Sequence, residues 1–424
     1  MGASSMEPQH ILDGYRVLDF TQFLAGPTTT RLMAEMGAEI IKVELSPGGD
    51  QSRLMPYRRS GRSGYFIQQN RGKKSLCLNP KDPRGMEILK GLVAECDVLM
   101  ENFSPGVIGR MGLDWETVHQ LNPKMVMCSL SAFGQTGPLA NRPGFDYIAQ
   151  GLAGVMGMIG DPDQPPYFPM LGIGDVMTGV HALAAINGAL LFRERTGRGQ
   201  FIDVSLLDSY FHCHEINIQV ASGSEGKWVP TRSGHHHYAV SPMGLYRVRD
   251  GYLVMAPPAH RWQPLCEAMG HPELVDHPDF NTNGARCANN DKVTEYLEEW
   301  LGKFSGVEEA IEVLDEMRVP VAPILTIPQV MAHPHLIERE TIRTIDDRAF
   351  GEVQIPGVPL RFSEFPDLLS LQAPFLGEHN HEILRDRLAY DAGQIAGLEA
   401  DGVLGSEPVG DSYDVGDFTT RTTA

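Results

Sequence analysis

Three stretches near the N-terminus decide the fold class: Arg16-Val17-Leu18-Asp19-Phe20-Thr21, then Ala25-Gly26-Pro27, then Glu39-Ile40-Ile41-Lys42-Val43-Glu44. The first reads as a buried strand. The second opens a helix, with Pro near the first turn, where its missing N–H costs little. That helix runs to about Met36, and Gly37 is a natural C-cap. The third is the next strand. Ser75 to Leu78, Asp97 to Glu101 and Met125 to Leu130 read as three more, with a helix near Arg84 to Glu95 between two of them. Strands spaced by crossover helices predict an α/β fold with a parallel, Rossmann-like sheet. Residues 145–158 and 176–195 read as further helices, and Phe201 to Leu206 as another strand.

The chain has 424 residues, more than one ordinary core holds, which predicts two domains. The composition shifts near residue 220, where Ser222-Gly223-Ser224-Glu225-Gly226 reads as a linker. Gly244 to Ala256 reads as a hairpin around Asp250-Gly251, and helices at about 291–304 and 306–317 follow. The expected organisation is a large domain over 11–220, a small α+β domain over 225–325, and a segment over 330–400 that returns to the large domain. That last segment holds a strand-like Val353 to Pro359 and a helix near Glu378 to Leu388. Residues 401–424, polar and rich in Gly, Ser, Thr and Asp, read as a disordered tail. The start, Met1-Gly2-Ala3-Ser4-Ser5, lacks the basic and apolar regions of a signal peptide and reads as a floppy terminus.

Hydrophobic residues make up 42% of the chain, a normal globular share, and the formal charge is −19. So acidic a chain makes a poor nucleic-acid partner. The six cysteines form no CxxC pair and read as reduced buried thiols. No uncharged apolar run reaches the 18 or so residues of a membrane span. The expectation is a soluble, cytoplasmic protein. No GxGxxG follows the first strand, and there is no P-loop and no GxSxG elbow.

Four groups carry chemistry. In Leu171-Gly172-Ile173-Gly174-Asp175, two glycines let the backbone approach a ligand, and Asp175 sits where the chain enters a helix. Asp175 reads as an N-cap, as a carboxylate nucleophile beside first-turn N–H donors able to hold an oxyanion, or as both. Arg71-Gly72-Lys73-Lys74, with Lys81 shortly after, reads either as a solvated turn or as a cationic site for a phosphate-bearing ligand. Glu101-Asn102-Phe103-Ser104-Pro105-Gly106 ends a strand, where open α/β sheets bind ligands, and Arg110 follows one turn later. Gly234-His235-His236-His237-Tyr238 reads as a loop and not as a metal site, because adjacent side chains diverge and no second cluster has ligand spacing.

Taken in order, these segments resemble the class III CoA-transferases, the formyl-CoA and carnitine CoA-transferase type. The resemblance rests on Val17 to Thr21 with Leu24 to Pro27, Gly37 to Glu44, Asn70 to Ser75 and Glu101 to Phe103. Pro105-Gly106 through Arg110-Met111-Gly112-Leu113, Ser131 to Pro138, Gly174-Asp175, Thr196 to Gln200 and Leu376 to Asn380 complete it, over about residues 11–395. It implies an interlocked ring dimer, usually of identical chains and occasionally of two different ones. It places the catalytic carboxylate on Asp175, and CoA contacts on Ala25, Leu78 to Lys81, Asn102, Phe103, Ser104 and Arg110. Arg71 and Lys74 join that set through the cationic reading, and Gly234 and His237 fall on the family's substrate loop. The implied partners are an acyl-CoA and a carboxylic acid, with coenzyme A a substrate and no permanently bound cofactor. The formyl-CoA transferases carry Gln where Leu24 stands and Arg where Leu45 stands, which points away from formyl-CoA and oxalate. The related α-methylacyl-CoA racemases carry a His-Asp pair where this chain has Phe145-Asp146, so a two-base racemase lacks one base here. A racemase-like isomerase and a non-catalytic CoA-binding chain of a heterodimer are the alternatives.

Overall fold

A computed structural model of the chain describes residues 9–407, so the expectations for 1–8 and 408–424 lie outside the described residues. Six strands form one sheet: β1 Arg16–Asp19, β2 Glu39–Leu45, β3 Lys73–Leu78, β4 Val98–Glu101, β5 Val126–Ser131 and β6 Gln200–Ser205. Every neighbouring pair is parallel, and the spatial order is 3-2-1-4-5-6. This is the doubly wound order, with its switch point between β1 and β4.

The pleat explains the two faces. Leu18, Ile41, Leu76 and Leu99 face one core, where they meet Ile88, Leu89, Leu92 and Val93 of helix α1 (Pro83–Glu95). Asp82 caps that helix and Pro83 opens it. The same core takes Ile383 and Leu384 of α2 (Asn380–Leu388) and Ile395 and Leu398 of α3 (Ala392–Ala400). The far end of the chain thus covers a sheet that the near end builds. The opposite face carries Asp19, Lys42, Glu44 and Ser75, all buried. Two more helices belong to this unit, Ala25–Glu35 and Ile173–Thr196, and they pack on each other. The latter is long and apolar enough to cross a membrane by length and composition, and less than half of it is buried among its neighbours.

Two compact units divide the chain. Among the described residues, the larger takes 9–153, 170–213 and 334–407. The smaller takes 154–169 and 214–333. Its three-stranded antiparallel sheet pairs Gly244–Val248 with Gly251–Met255, and the latter with Val321–Pro323. Leu265, Leu297, Leu301, Ala310 and Leu314 of its helices pack on Tyr246 and Leu253.

Four expectations are corrected. Residues 154–169, read as part of the large domain, belong to the smaller unit. The helix expected over 145–158 stops at Leu152, and a separate short 3-10 turn covers Met156–Met158. The strand near 353–359 spans Gly351–Pro356 and pairs antiparallel with Ile342–Asp347. Residues 401–407 are packed, because Val403 and Leu404 enter the core and Asn79 N donates to the Val403 carbonyl at 2.8 Å. Of the cysteines, Cys213 is exposed and Cys287 half-buried, while the other four are buried.

Candidate active site

β1 ends in a turn held from several sides. Thr21 N and Oγ1 both donate to Asp19 Oδ1, at 2.9 and 2.5 Å. Lys42 Nζ donates to the Thr21 carbonyl at 2.7 Å and pairs with Asp50 at 2.8 Å. Asn102, just past β4, accepts from Gln22 N and donates to Gln22 O, each at 2.8 Å. The turn places Phe23 in the left-handed region, with φ 62°, a conformation a bulky residue adopts only when its surroundings insist. The side-chain amide of Asn102 therefore stitches the two strand ends that flank the switch point.

At that switch point lies a cavity of about 220 Å³. The β1 turn lines it with Gln22, Phe23, Leu24 and Ala25, and the β4 end with Asn102, Phe103, Ser104 and Pro105. Leu130, Ser131 and Ala132 enter from β5, and Arg142 to Phe145 from the connection that follows. Asp175 closes the lining. The carboxyl edge of a doubly wound sheet is where such folds bind ligands.

Asp175 is not an N-cap. The helix Ile173–Thr196 begins two residues earlier, with Gly172 as its cap position, so Asp175 sits inside the first turn. The two glycines serve the protein itself. A Cβ on Gly174 would lie 2.1 Å from the Tyr210 ring, and one on Gly172 would lie 2.6 Å from Leu24 Cδ2. The expected first-turn oxyanion donors are taken as well. Gly174 N donates to Tyr210 Oη at 2.9 Å, and Asp175 N donates to Asp146 Oδ2 at 3.2 Å. Tyr210 Oη in turn donates to Asp146 Oδ1. Tyr210 and Asp146 are both buried.

That arrangement sets the charge of Asp175. Its carboxylate accepts no hydrogen bond from the described residues, and no cation stands against it. Burial, and then the Asp146 carboxylate, push its pKa up to about 7. A desolvated carboxylate without hydrogen bonds is a stronger nucleophile than one in water. Tyr65 stands near enough for its phenol to be raised by burial and by the Asp175 charge. Tyr65 and Tyr210 escaped the sequence reading. Neither has a local signature, because each matters only through a partner more than 30 positions away.

Two consequences are measurable. Activity that needs ionised Asp175 falls as pH drops through about 7. Asp146→Asn removes the second of the two causes, so the acid limb moves to lower pH. Burial, the larger cause, keeps the limb above the ordinary carboxylate range near ~4. A pH–rate profile of kcat/KM for both proteins checks this, and an unmoved limb would refute the coupling. Gly174→Ala forces the buried Tyr210 ring to shift, an overpacking cost of roughly 1–3 kcal/mol, and breaks the hydrogen bond that the residue 174 N–H donates to its hydroxyl. Thermal melts and kcat should both fall. Gly188→Ala on the same helix, where a Cβ meets nothing within 4 Å, is the matched control and should lose neither.

Ala25, Asn102, Phe103 and Ser104 line the cavity. Lys81 and Arg110 are exposed, beyond the ends of β3 and β4. Leu78 is buried in the core, leaving only its backbone for a ligand. The cationic reading of 71–74 is corrected. Arg71 is buried against Glu35, Lys73 is buried against Asp19, and Lys74 pairs with Glu39 and Glu382, each at 2.7 Å. Acidic partners from distant segments consume all three charges. Gly234 and His237 belong to the smaller unit, where Gly234 N donates to the Gly160 carbonyl and His237 stacks on Tyr238.

Residues 12–380 match the family model of CoA-transferase family III. The chain belongs to that family. The CoA-transferase is similar to succinyl-CoA:glutarate CoA-transferase of Mus musculus, 35% identical over 411 residues, covering 94% of this chain and 91% of the relative. It is similar to formyl-CoA:oxalate CoA-transferase of Streptomyces avermitilis, 34% identical over 416 residues, covering 93% and 99%. Among solved structures, a CaiB/BaiF family protein from Brucella suis matches with a TM-score of 0.77 at 34% identity, covering 89% of this CoA-transferase and 99% of that chain.

Proposed function

We propose that this CoA-transferase moves CoA from a short dicarboxylyl-CoA, succinyl-CoA foremost, to a dicarboxylic acid, with Asp175 as the covalent nucleophile. The observation that carries the reading is Asp175 itself, a carboxylate without hydrogen bonds on the wall of the switch-point cavity. The relatives' names support the substrate class, since succinyl-CoA, glutarate and oxalate all bear a second carboxylate. Leu24 and the apolar lining around it favour a longer, less polar acid than oxalate.

The steps balance without net proton transfer. An Asp175 oxygen attacks the donor thioester carbon, the C–S bond breaks, and CoA leaves as thiolate with a mixed anhydride on Asp175. The thiolate attacks the Asp175 carbonyl and expels the donor acid, leaving an aspartyl-CoA thioester. The acceptor carboxylate attacks that carbonyl and frees the thiolate, which attacks the acceptor's carbonyl. Acyl-CoA departs and Asp175 regains its charge. The split turns an exchange between two weak nucleophiles into easier steps. Developing oxyanions have a donor in the first turn of the helix Ala25–Glu35, whose opening N–H groups lack intrahelical partners. Remote contacts to the CoA nucleotide, at Lys81 and Arg110, supply binding energy that positions the thioester.

Epimerisation lacks its second base, because Phe145 has no proton to exchange. Exposed apolar residues along the helix Ile173–Thr196, namely Ile173, Val176, Val180 and Leu191, support assembly as a dimer of identical chains. The test is an exchange assay. Purified protein is given succinyl-CoA and a panel of carboxylic acids, and new CoA esters are read by mass spectrometry. Dicarboxylic acceptors of four or five carbons should yield CoA esters fastest. Conversion of no acid, or α-deuterium exchange of the donor without transfer, would reject the reading.

A further inference from the structure

Among the residues lining the switch-point cavity, two carry charge: Asp175 and Arg142. The rest are apolar, such as Leu24, Phe103 and Leu130, or neutral and polar, such as Asn102 and Ser131. A dicarboxylyl group brought to Asp175 carries its own second carboxylate. Asp146 stands immediately behind and adds to the repulsion. An anion brought beside two carboxylates is favoured by a cation within reach.

We infer that the Arg142 guanidinium holds the distal carboxylate of the acyl group and of the acceptor acid, and so sets the enzyme's preference for dicarboxylic substrates. The inference rests on the function proposed above. Other arginines of the same unit are spent on structure. Arg53 pairs with Glu44, Arg62 with Asp347, Arg71 with Glu35 and Arg193 with Asp97. The Arg142 side chain has no hydrogen bond or ion pair with any described residue.

Its backbone, by contrast, is held. Arg142 N donates to the Leu139 carbonyl at 2.8 Å. Pro143 restricts the residue before it to extended conformations. Gly144 then lies so close to β5's end that a Cβ would come within 2.8 Å of Ala132 Cβ and the Phe133 ring. A fixed backbone with an uncommitted planar fork suits bidentate capture of a carboxylate. The same guanidinium could instead meet a CoA phosphate, which has the same charge. Lys81 and Arg110, beyond the strand ends, are the cations proposed above for the phosphates, whereas Arg142, itself exposed, is the one cation among the residues that line the cavity with Asp175.

The test compares donors that differ in one group. Succinyl-CoA and glutaryl-CoA are run against butyryl-CoA and pentanoyl-CoA, in which a methyl replaces the distal carboxylate. Initial CoA transfer is read by mass spectrometry for the full chain and for Arg142→Gln and Arg142→Lys. The expected result is a fall of about 30-fold in kcat/KM for Arg142→Gln on the dicarboxylyl donors, a charge-assisted hydrogen bond's share. The monocarboxylyl donors should change by no more than about threefold, within the spread of an exposed substitution. Arg142→Lys should fall between, keeping charge and losing the fork. Inhibition by free CoA should be unchanged in both variants. An equal fall on both donor series with weaker CoA inhibition would put Arg142 on a phosphate and overturn the inference. So would no change at all. A wild type that transfers CoA from none of the four donors would reject the proposed function instead.

Discussion

Asp175→Ala should leave a folded protein with transfer reduced at least ~10³-fold, a loss of about 4 kcal/mol of transition-state stabilisation. The size follows from the chemistry. Without the carboxylate no anhydride forms, and direct attack of one carboxylate on a distant thioester has no covalent route to replace it. The fold should survive, because the Asp175 side chain accepts no hydrogen bond from, and forms no ion pair with, any described residue. The variant should even be more stable at pH 8. Asp175 has a folded pKa raised to about 7, so the native state binds the proton more tightly than the unfolded chain. Its unfavourable contribution therefore grows as pH rises from ~4 to about 7 and is full above that. Circular dichroism melts at pH 5 and pH 8 should show the variant's advantage widening with pH. Near-normal turnover would remove Asp175 from the mechanism.

The second large effect concerns stability. Asp19→Ala should destabilise the protein by roughly 3–5 kcal/mol, the usual cost of stranding a buried charge. Asp19 is fully buried, and its Oδ2 accepts from Lys73 Nζ at 3.0 Å and from Thr30 Oγ1 at 2.8 Å. Burial alone would raise its carboxyl, yet Lys73 and Lys42 outweigh that and hold it below the usual range. Its contribution is thus present above ~4 and is lost as pH falls through the lowered folded value. With Asp19 gone, Lys73 keeps only neutral partners, Thr30 and Asn70, in the core. The Thr21 turn also loses its two hydrogen bonds to Asp19 and keeps those from Lys42 and Asn102. Urea unfolding should show a lower midpoint, and residual folded enzyme should show a raised KM. Replacing Lys73 by Met in the same background should restore part of the stability and none of the turn. A cost under ~1 kcal/mol would mean that water reaches the cluster, contrary to its burial.

Much of the architecture was legible because doubly wound sheets announce themselves locally. Buried strands such as Glu39–Leu45 are short and rich in β-branched residues, here Ile40, Ile41 and Val43, and Pro27 and Gly37 mark the ends of the helix before it. Asn102, Phe103 and Ser104 were read as crevice residues because they follow a strand end, and Ala25 through the family resemblance alone; all four line the cavity. What failed was whatever depends on remote partners. Arg71 looks cationic until Glu35 neutralises it, and Lys74 meets Glu382 some 300 positions away. Asp175 looked like a cap because it stands just before the helix expected over 176–195, which begins instead at Ile173. Position 174 is glycine because the Tyr210 ring leaves no room for a side chain there, a constraint set 36 positions away.

The covalent role of Asp175 is tested most directly by catching the intermediate. Wild-type protein is mixed with succinyl-CoA, quenched within one turnover, digested and read by mass spectrometry. The peptide carrying Asp175 should gain the mass of CoA less one water, and hydroxylamine added during turnover should convert that residue to a hydroxamate and stop the enzyme. Rapid transfer with Asp175 unmodified under both treatments would contradict the account.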